Sequence, residues 1–64
     1  MKRTKFIQYL NAHSCGFVKH GAKHDKYMNH LNGKRTLIPR HADIDTDLCN
    51  LICKQLDIPK PVSV

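Results

Sequence analysis

The segment from Asp45 to Asp57 is the most strongly periodic part of this sequence. Its large apolar residues recur at the spacing of one helical face. They are Leu48, Leu51, Ile52 and Leu56. Asp45 or Thr46 is a candidate N-terminal cap, and prolines after residue 58 prevent continuation. The segment therefore predicts an amphipathic helix that must bury one face against the rest of the chain.

A first helix is predicted at residues 4–14, "TKFIQYLNAHS". Its buried stripe is expected to consist of Phe6, Ile7 and Leu10. Thr4 is the candidate N-terminal cap, and Gly16 lies where a glycine often ends a helix.

Between these helices the sequence favours three short strands. The strand candidates are residues 17–20, 24–30 and 34–39, with turns at 21–23 and 31–33. The order helix, three strands, helix predicts an α+β fold, in which two helices cover one face of a three-stranded antiparallel sheet. This is the α-β-β-β-α arrangement of double-stranded RNA-binding domains. We expect a single domain at residues 1–58 and a short tail at 59–64.

Positive charge is concentrated in the first two-thirds of the chain. Residues 1–41 contain nine Lys or Arg and one acid, whereas residues 42–64 contain two Lys and four Asp. A basic face on a small domain favours a polyanionic partner, most often nucleic acid, and a merely solvated surface is the alternative. The three cysteines, the missing signal peptide and the missing transmembrane segment lead us to expect a cytoplasmic protein with reduced thiols.

The spacing of histidines and cysteines does not favour a metal site. His20 and His24 straddle a turn, and Cys49 and Cys53 lie one helical turn apart in the predicted buried stripe. We therefore expect no metal, and we expect no cofactor because nothing in the sequence resembles a phosphate-cradling loop or a dinucleotide fingerprint. A cysteine nucleophile is also disfavoured, because a reactive thiolate needs a partnered and partly exposed site.

The stretch "HGAKHDKY" at residues 20–27 is the best candidate for acid–base chemistry. Along the second strand, side chains alternate between the two faces of the sheet. If Tyr27 packs against the helices, His24 and Lys26 emerge together on the open basic face. Cleavage of RNA by its own 2′-hydroxyl needs two proton transfers and a nearby cation, which histidine and lysine supply. On spacing alone, an exposed bystander histidine is the commoner alternative.

Three stretches of the sequence, "GAKHDKY", "NGKRTLIPRHADI" and "LCNLICKQLDI", resemble the HicA family of toxin ribonucleases from bacterial toxin–antitoxin pairs. The similarity covers about residues 4–58. The resemblance implies the helix, three strands, helix fold and mRNA cleavage without a metal cofactor. It also implies inhibition by a HicB-like antitoxin in a hetero-oligomer, with no membrane association. Where the commonest family pattern is Gly-Ser-His-His, this chain has Ala22 and Lys23 before the histidine and Asp25 after it.

The resemblance implies that His24 is the catalytic residue. Candidate RNA contacts are the basic residues Lys19, Lys23, Lys26, Arg35 and Arg40. Candidate supporting residues are Gly21, Tyr27 and His41. Two other functions remain open: a non-catalytic nucleic-acid-binding module of the same fold, and a structural partner whose charge only docks an acidic antitoxin.

Overall fold

The computed structural model describes residues 1–61 and contains two helices and one sheet in the predicted order. The elements are helix α1 (Arg3–Ala12), strands β1 (Cys15–His20), β2 (His24–Asn29) and β3 (Arg35–Pro39), and helix α2 (Thr46–Leu56). The strands form one antiparallel sheet in the order β1-β2-β3. The predicted α-β-β-β-α fold is confirmed. The predicted tail at 59–64 extends beyond the described residues.

The core lies between the two helices and one face of the sheet. Its fully or nearly fully buried apolar residues are Phe6, Leu10, Cys15, Tyr27, Ile38, Ile44, Cys49, Ile52, Cys53 and Leu56. All three cysteines are free thiols within this core. Both helices therefore lie on the same side of the sheet, and the other side faces solvent. Neither helix within residues 1–61 is long and apolar enough to cross a membrane.

Helix α1 begins and ends earlier than its sequence predicts. The N-terminal residues pair with the loop before α2: the Arg3 N–H donates to the Ala42 carbonyl, and the Ile44 N–H donates to the Met1 carbonyl. This pairing starts the helix at Arg3, so the predicted Thr4 cap is wrong.

The predicted glycine cap at Gly16 is also wrong. Ser14 takes the left-handed conformation (φ 64°), and its carbonyl accepts a hydrogen bond from the His30 N–H. The chain therefore enters β1 at Cys15, two residues before the predicted strand. Gly16 lies within that strand.

Helix α2 has the predicted position but a rotated buried face. Asp45 is its N-terminal cap residue, although its side chain makes no capping hydrogen bond. Cys49 and Cys53 share the buried stripe with Ile52 and Leu56. Leu51 is 49% exposed, so its predicted place in the stripe is wrong. The predicted burial of Cys49 and Cys53 is confirmed.

Candidate functional site

The hairpin between β1 and β2 presents His24 at the start of β2. The turn at residues 21–23 is closed by a hydrogen bond from the Gly21 N–H to the His24 carbonyl, with 2.7 Å between N and O. A Cβ atom on Gly21 would lie 2.7 Å from that same carbonyl oxygen. Only a residue without a side chain fits here without displacing the backbone, so the predicted turn role of Gly21 has a steric cause.

A β-bulge at Val18 determines which side chains of β1 join this site. The register pairs Phe17 with Tyr27, then skips one residue and pairs Lys19 with Lys26 and His20 with Asp25. Directly opposed residues of antiparallel strands point to the same face. One extra residue reverses the faces of all later side chains. The bulge thus places Lys19 beside Lys26 on the open face and directs His20 to the helix side.

The open face of the sheet combines cationic and apolar side chains around His24. Alternation along β2 places His24, Lys26 and Met28 on this face, and pairing with β3 brings Leu37 opposite Lys26. Leu37 is 56% exposed. A shallow depression of 330 Å³ lies at the hairpin end of this face. It is lined by Gly21, Ala22, Lys23, His24 and Leu37.

A buried carboxylate lies on the opposite side of β2, directly after His24. Asp25 accepts hydrogen bonds from Arg3 Nη2 at 2.8 Å and from Arg40 Nη1, and its Oδ1 lies 2.8 Å from His20 Nδ1. Arg40 Nη2 also donates to the Gly21 and Ala22 carbonyls at 2.7 and 2.9 Å. Arg40 therefore links the buried carboxylate to the turn that carries His24.

The ionised form of Asp25 is favoured by this environment. The hydrogen bond with His20 and the adjacent Arg40 guanidinium lower the pKa of the Asp25 carboxyl, although burial alone would raise it. The carboxylate therefore stays charged at neutral pH. Its negative charge offsets part of the positive charge of Arg3 and Arg40.

The other candidate residues are exposed, buried, or already hydrogen-bonded within the protein. Lys23 is exposed in the turn, and Arg35 is exposed at the start of β3, opposite Met28. Tyr27 is buried as predicted, with its ring 5.9 Å from that of Phe17. His41 is exposed in the connection after β3. The guanidinium of Arg40, a candidate RNA contact, is occupied by three acceptors within the protein.

The histidines and cysteines considered for zinc do not converge. His20 lies on the helix side of the sheet and His24 on the open side, because of the bulge in β1. Cys49 and Cys53 are buried in the core, and burial raises the pKa of the Cys53 thiol to about 11. Within residues 1–61, no three His, Cys or Asp side chains form a metal-binding group.

Sequence reasoning missed two residues that support the site, Arg3 and His20. Both contact Asp25, from α1 and from the end of β1. One signal was present in the sequence: Asp25 is the only acid among residues 1–41. Once this carboxylate is placed on the buried face of β2, it requires cationic partners, because a buried charge must be paired.

Comparison with protein-family models, with curated proteins and with solved structures finds no match for this chain.

Proposed function

We propose that this protein is a HicA-like toxin ribonuclease that cleaves mRNA, with His24 as the general acid or base. The observation that carries the proposal is the placement of an exposed imidazole on the open face of the sheet, beside a depression and among lysines. The neighbouring cations are Lys19, Lys23 and Lys26. Histidine exchanges protons readily near neutral pH, and cations stabilise the charge that develops on phosphate.

In the proposed reaction, a ribose 2′-oxygen attacks the adjacent phosphorus as the bond from phosphorus to the 5′-oxygen breaks. The 2′-hydroxyl loses a proton, and the departing 5′-oxygen gains one. His24 performs one of these transfers, and water on the exposed face serves the other. Lys23 and Lys26, which lie on either side of His24 in the sequence, stabilise the charge on the phosphate in this proposal, and the exposed apolar surface of Leu37 contacts a sugar or base.

The proposed partners follow from the same surface. RNA supplies the polyanion that the basic face favours. An acidic, HicB-like antitoxin that covers the open face would block both the lysines and His24. In this proposal the protein acts in the cytoplasm, inhibits translation and growth, and is neutralised in a toxin–antitoxin hetero-oligomer.

The decisive test compares RNA cleavage by the wild type, His24→Ala and His30→Ala. His30 is an exposed histidine outside the depression and is the matched control. We expect the wild type and His30→Ala to cleave RNA in the presence of EDTA. His24→Ala should lose about 10²- to 10⁴-fold in rate, as is typical for loss of a general acid or base. Assays with and without translation machinery test whether ribosomes are needed.

Two results would replace this proposal with the alternative of a binding module. One is RNA that stays intact with the wild type under all these conditions while it binds with strong salt dependence. The other is an equal, small loss of activity for His24→Ala and for each lysine variant.

For the antitoxin, the check is an acidic protein encoded by a neighbouring reading frame. Its co-expression should restore growth, and the purified complex should leave RNA uncut.

A further inference from the structure

Arg40 follows the last residue of β3, yet its guanidinium reaches across to the β1–β2 turn. Its Nη2 lies within hydrogen-bond distance of two consecutive turn carbonyls, those of Gly21 and Ala22, and its Nη1 donates to Asp25. We propose that Arg40 and Asp25 are positioning residues that fix the turn and thereby aim the His24 imidazole. This inference rests on the proposed function of His24.

The residues that Arg40 contacts lie on both sides of His24 in the sequence. Residues 21 and 22 precede it in the turn, and Asp25 follows it directly. One planar guanidinium therefore holds the backbone before His24 and the side chain after it. A planar fork with five N–H donors suits three acceptors at fixed positions, whereas a lysine ammonium lacks this geometry. The side chain of His24 itself is left exposed.

The carboxylate that Arg40 binds, that of Asp25, lies in the protein interior. Asp25 is 5% exposed and also binds Arg3, whose Nε donates to the Pro39 carbonyl at 2.9 Å. Asp25 is thus held from the α1 side by Arg3 and from the turn side by Arg40. Arg3 is a matched control, because it binds the same carboxylate, while the hydrogen bonds that it donates within residues 1–61 go to Asp25, Pro39 and Ala42 and not to the turn.

The turn needs such an anchor because it is tight and otherwise exposed. Residues 21–24 are all exposed, and the single main-chain bond from Gly21 to His24 closes the turn. Exposed turns with few buried contacts open locally at low free-energy cost. Two further hydrogen bonds from an ionised group reduce that opening, since charge-assisted bonds are stronger than neutral ones.

The test combines a structural and a kinetic measurement on the full chain. Amide hydrogen exchange, followed by NMR without RNA, reports the Gly21 N–H in the wild type, Arg40→Ala, Arg40→Lys and Arg3→Ala. We expect the Gly21 amide in Arg40→Ala to exchange at least about 10-fold faster than in the wild type, with core amides of α2 unchanged. Arg40→Lys should lie between them. In Arg3→Ala, the exchange rate of the Gly21 amide should rise only as much as the exchange rates of the core amides.

The kinetic measurement uses RNA cleavage by the same variants. Arg40→Ala should lower kcat by about 10- to 100-fold with KM within about threefold, because misplacement of a catalytic group affects the chemical step. A rise in KM with unchanged kcat would overturn positioning and make Arg40 an RNA contact. An unchanged exchange rate of the Gly21 amide in Arg40→Ala would show that Arg40 does not fix the turn. If the wild type fails to cleave RNA, the proposed function fails, and the exchange data still decide whether Arg40 holds the turn.

Discussion

The side-chain amide of Asn29 donates a hydrogen bond to the main-chain carbonyl of Leu56, with 2.9 Å between N and O. Asn29 ends β2 and Leu56 ends α2. The last carbonyls of a helix lack partners within the helix. Asn29 Oδ1 also accepts from the Leu31 N–H at 2.9 Å. One buried amide therefore joins the end of α2 to the β2–β3 turn.

Asn29→Ala should destabilise the fold by about 1–3 kcal/mol, because it leaves buried polar groups without their partner. Urea unfolding followed by circular dichroism measures the change. Asn32→Ala is the matched control, since Asn32 is exposed and donates to the same carbonyl at 3.2 Å. Its cost should be about 0.5 kcal/mol, at the low end for a hydrogen bond. Equal costs for both variants would contradict the importance of burial at Asn29.

Acid should weaken the fold through Asp25. Interactions with His20 and Arg40 hold the pKa of Asp25 below its usual 3.8 in the folded protein, and the Arg3 guanidinium also contacts the carboxylate. The ionised carboxylate therefore stabilises the fold above about pH 4, and this contribution is lost as the pH falls through the lowered folded pKa. Urea midpoints between pH 2 and 6 should fall less steeply for Asp25→Asn than for the wild type. Parallel curves would exclude Asp25 as a source of acid sensitivity.

Gly21→Ala should damage the His24 turn. The added methyl group would meet the His24 carbonyl oxygen at 2.7 Å, a backbone atom that cannot rotate away. We expect a loss of about 1–3 kcal/mol, as for other overpacked sites, and reduced RNA cleavage. Gly16→Ala is the control, because its methyl group would meet only the exposed His30 ring, at 3.1 Å. A Gly21→Ala protein with wild-type stability and cleavage would disprove the steric requirement.

Helical periodicity, turn residues and strand alternation in the sequence predicted most of the fold. Periodicity located α2, and Gly21 and the "LNG" segment marked the two hairpin turns. Strand alternation correctly placed Tyr27 inside and His24 outside. The prediction for Leu51 is wrong because the buried face of α2 runs through Cys49, Ile52, Cys53 and Leu56, and Leu51 lies outside it. Helical spacing alone did not show which of the neighbouring apolar residues would face the sheet.

The parts of the site that sequence did not predict depend on contacts between distant residues. The bulge at Val18 places Lys19 on the open face and His20 on the helix side, where uninterrupted alternation would place them the other way round, and no turn or glycine signal announces it. Arg3 and Asp25 are 22 residues apart in the chain, and their ion pair forms only when α1 packs on the sheet. Such pairings require the tertiary fold before they can be recognised.

Replacing Asp57 with glycine should stabilise the protein. Asp57 caps α2 in the left-handed conformation (φ 59°, ψ 47°), which glycine adopts without steric cost. Its carboxylate also lies at the negative end of the helix dipole, and its 3.8 Å pair with Lys34 is exposed and contributes little. Asp57→Gly should gain about 0.5–1 kcal/mol in thermal or urea unfolding. Asp47→Gly, in the first turn of α2, should instead lower the free energy of unfolding.

Removal of either lysine of the open face should weaken RNA binding and its dependence on salt. Lys19 and Lys26 are paired across β1 and β2 on the face that carries His24. On single-stranded RNA, each lost phosphate contact should reduce the slope of log K against log salt by about 0.7. The measurement is fluorescence anisotropy across a salt series, in a His24→Ala background that prevents cleavage. Lys54→Ala, on the exposed surface of α2, should leave the slope unchanged. Equal slopes for Lys54→Ala and Lys26→Ala would place RNA elsewhere on the molecule.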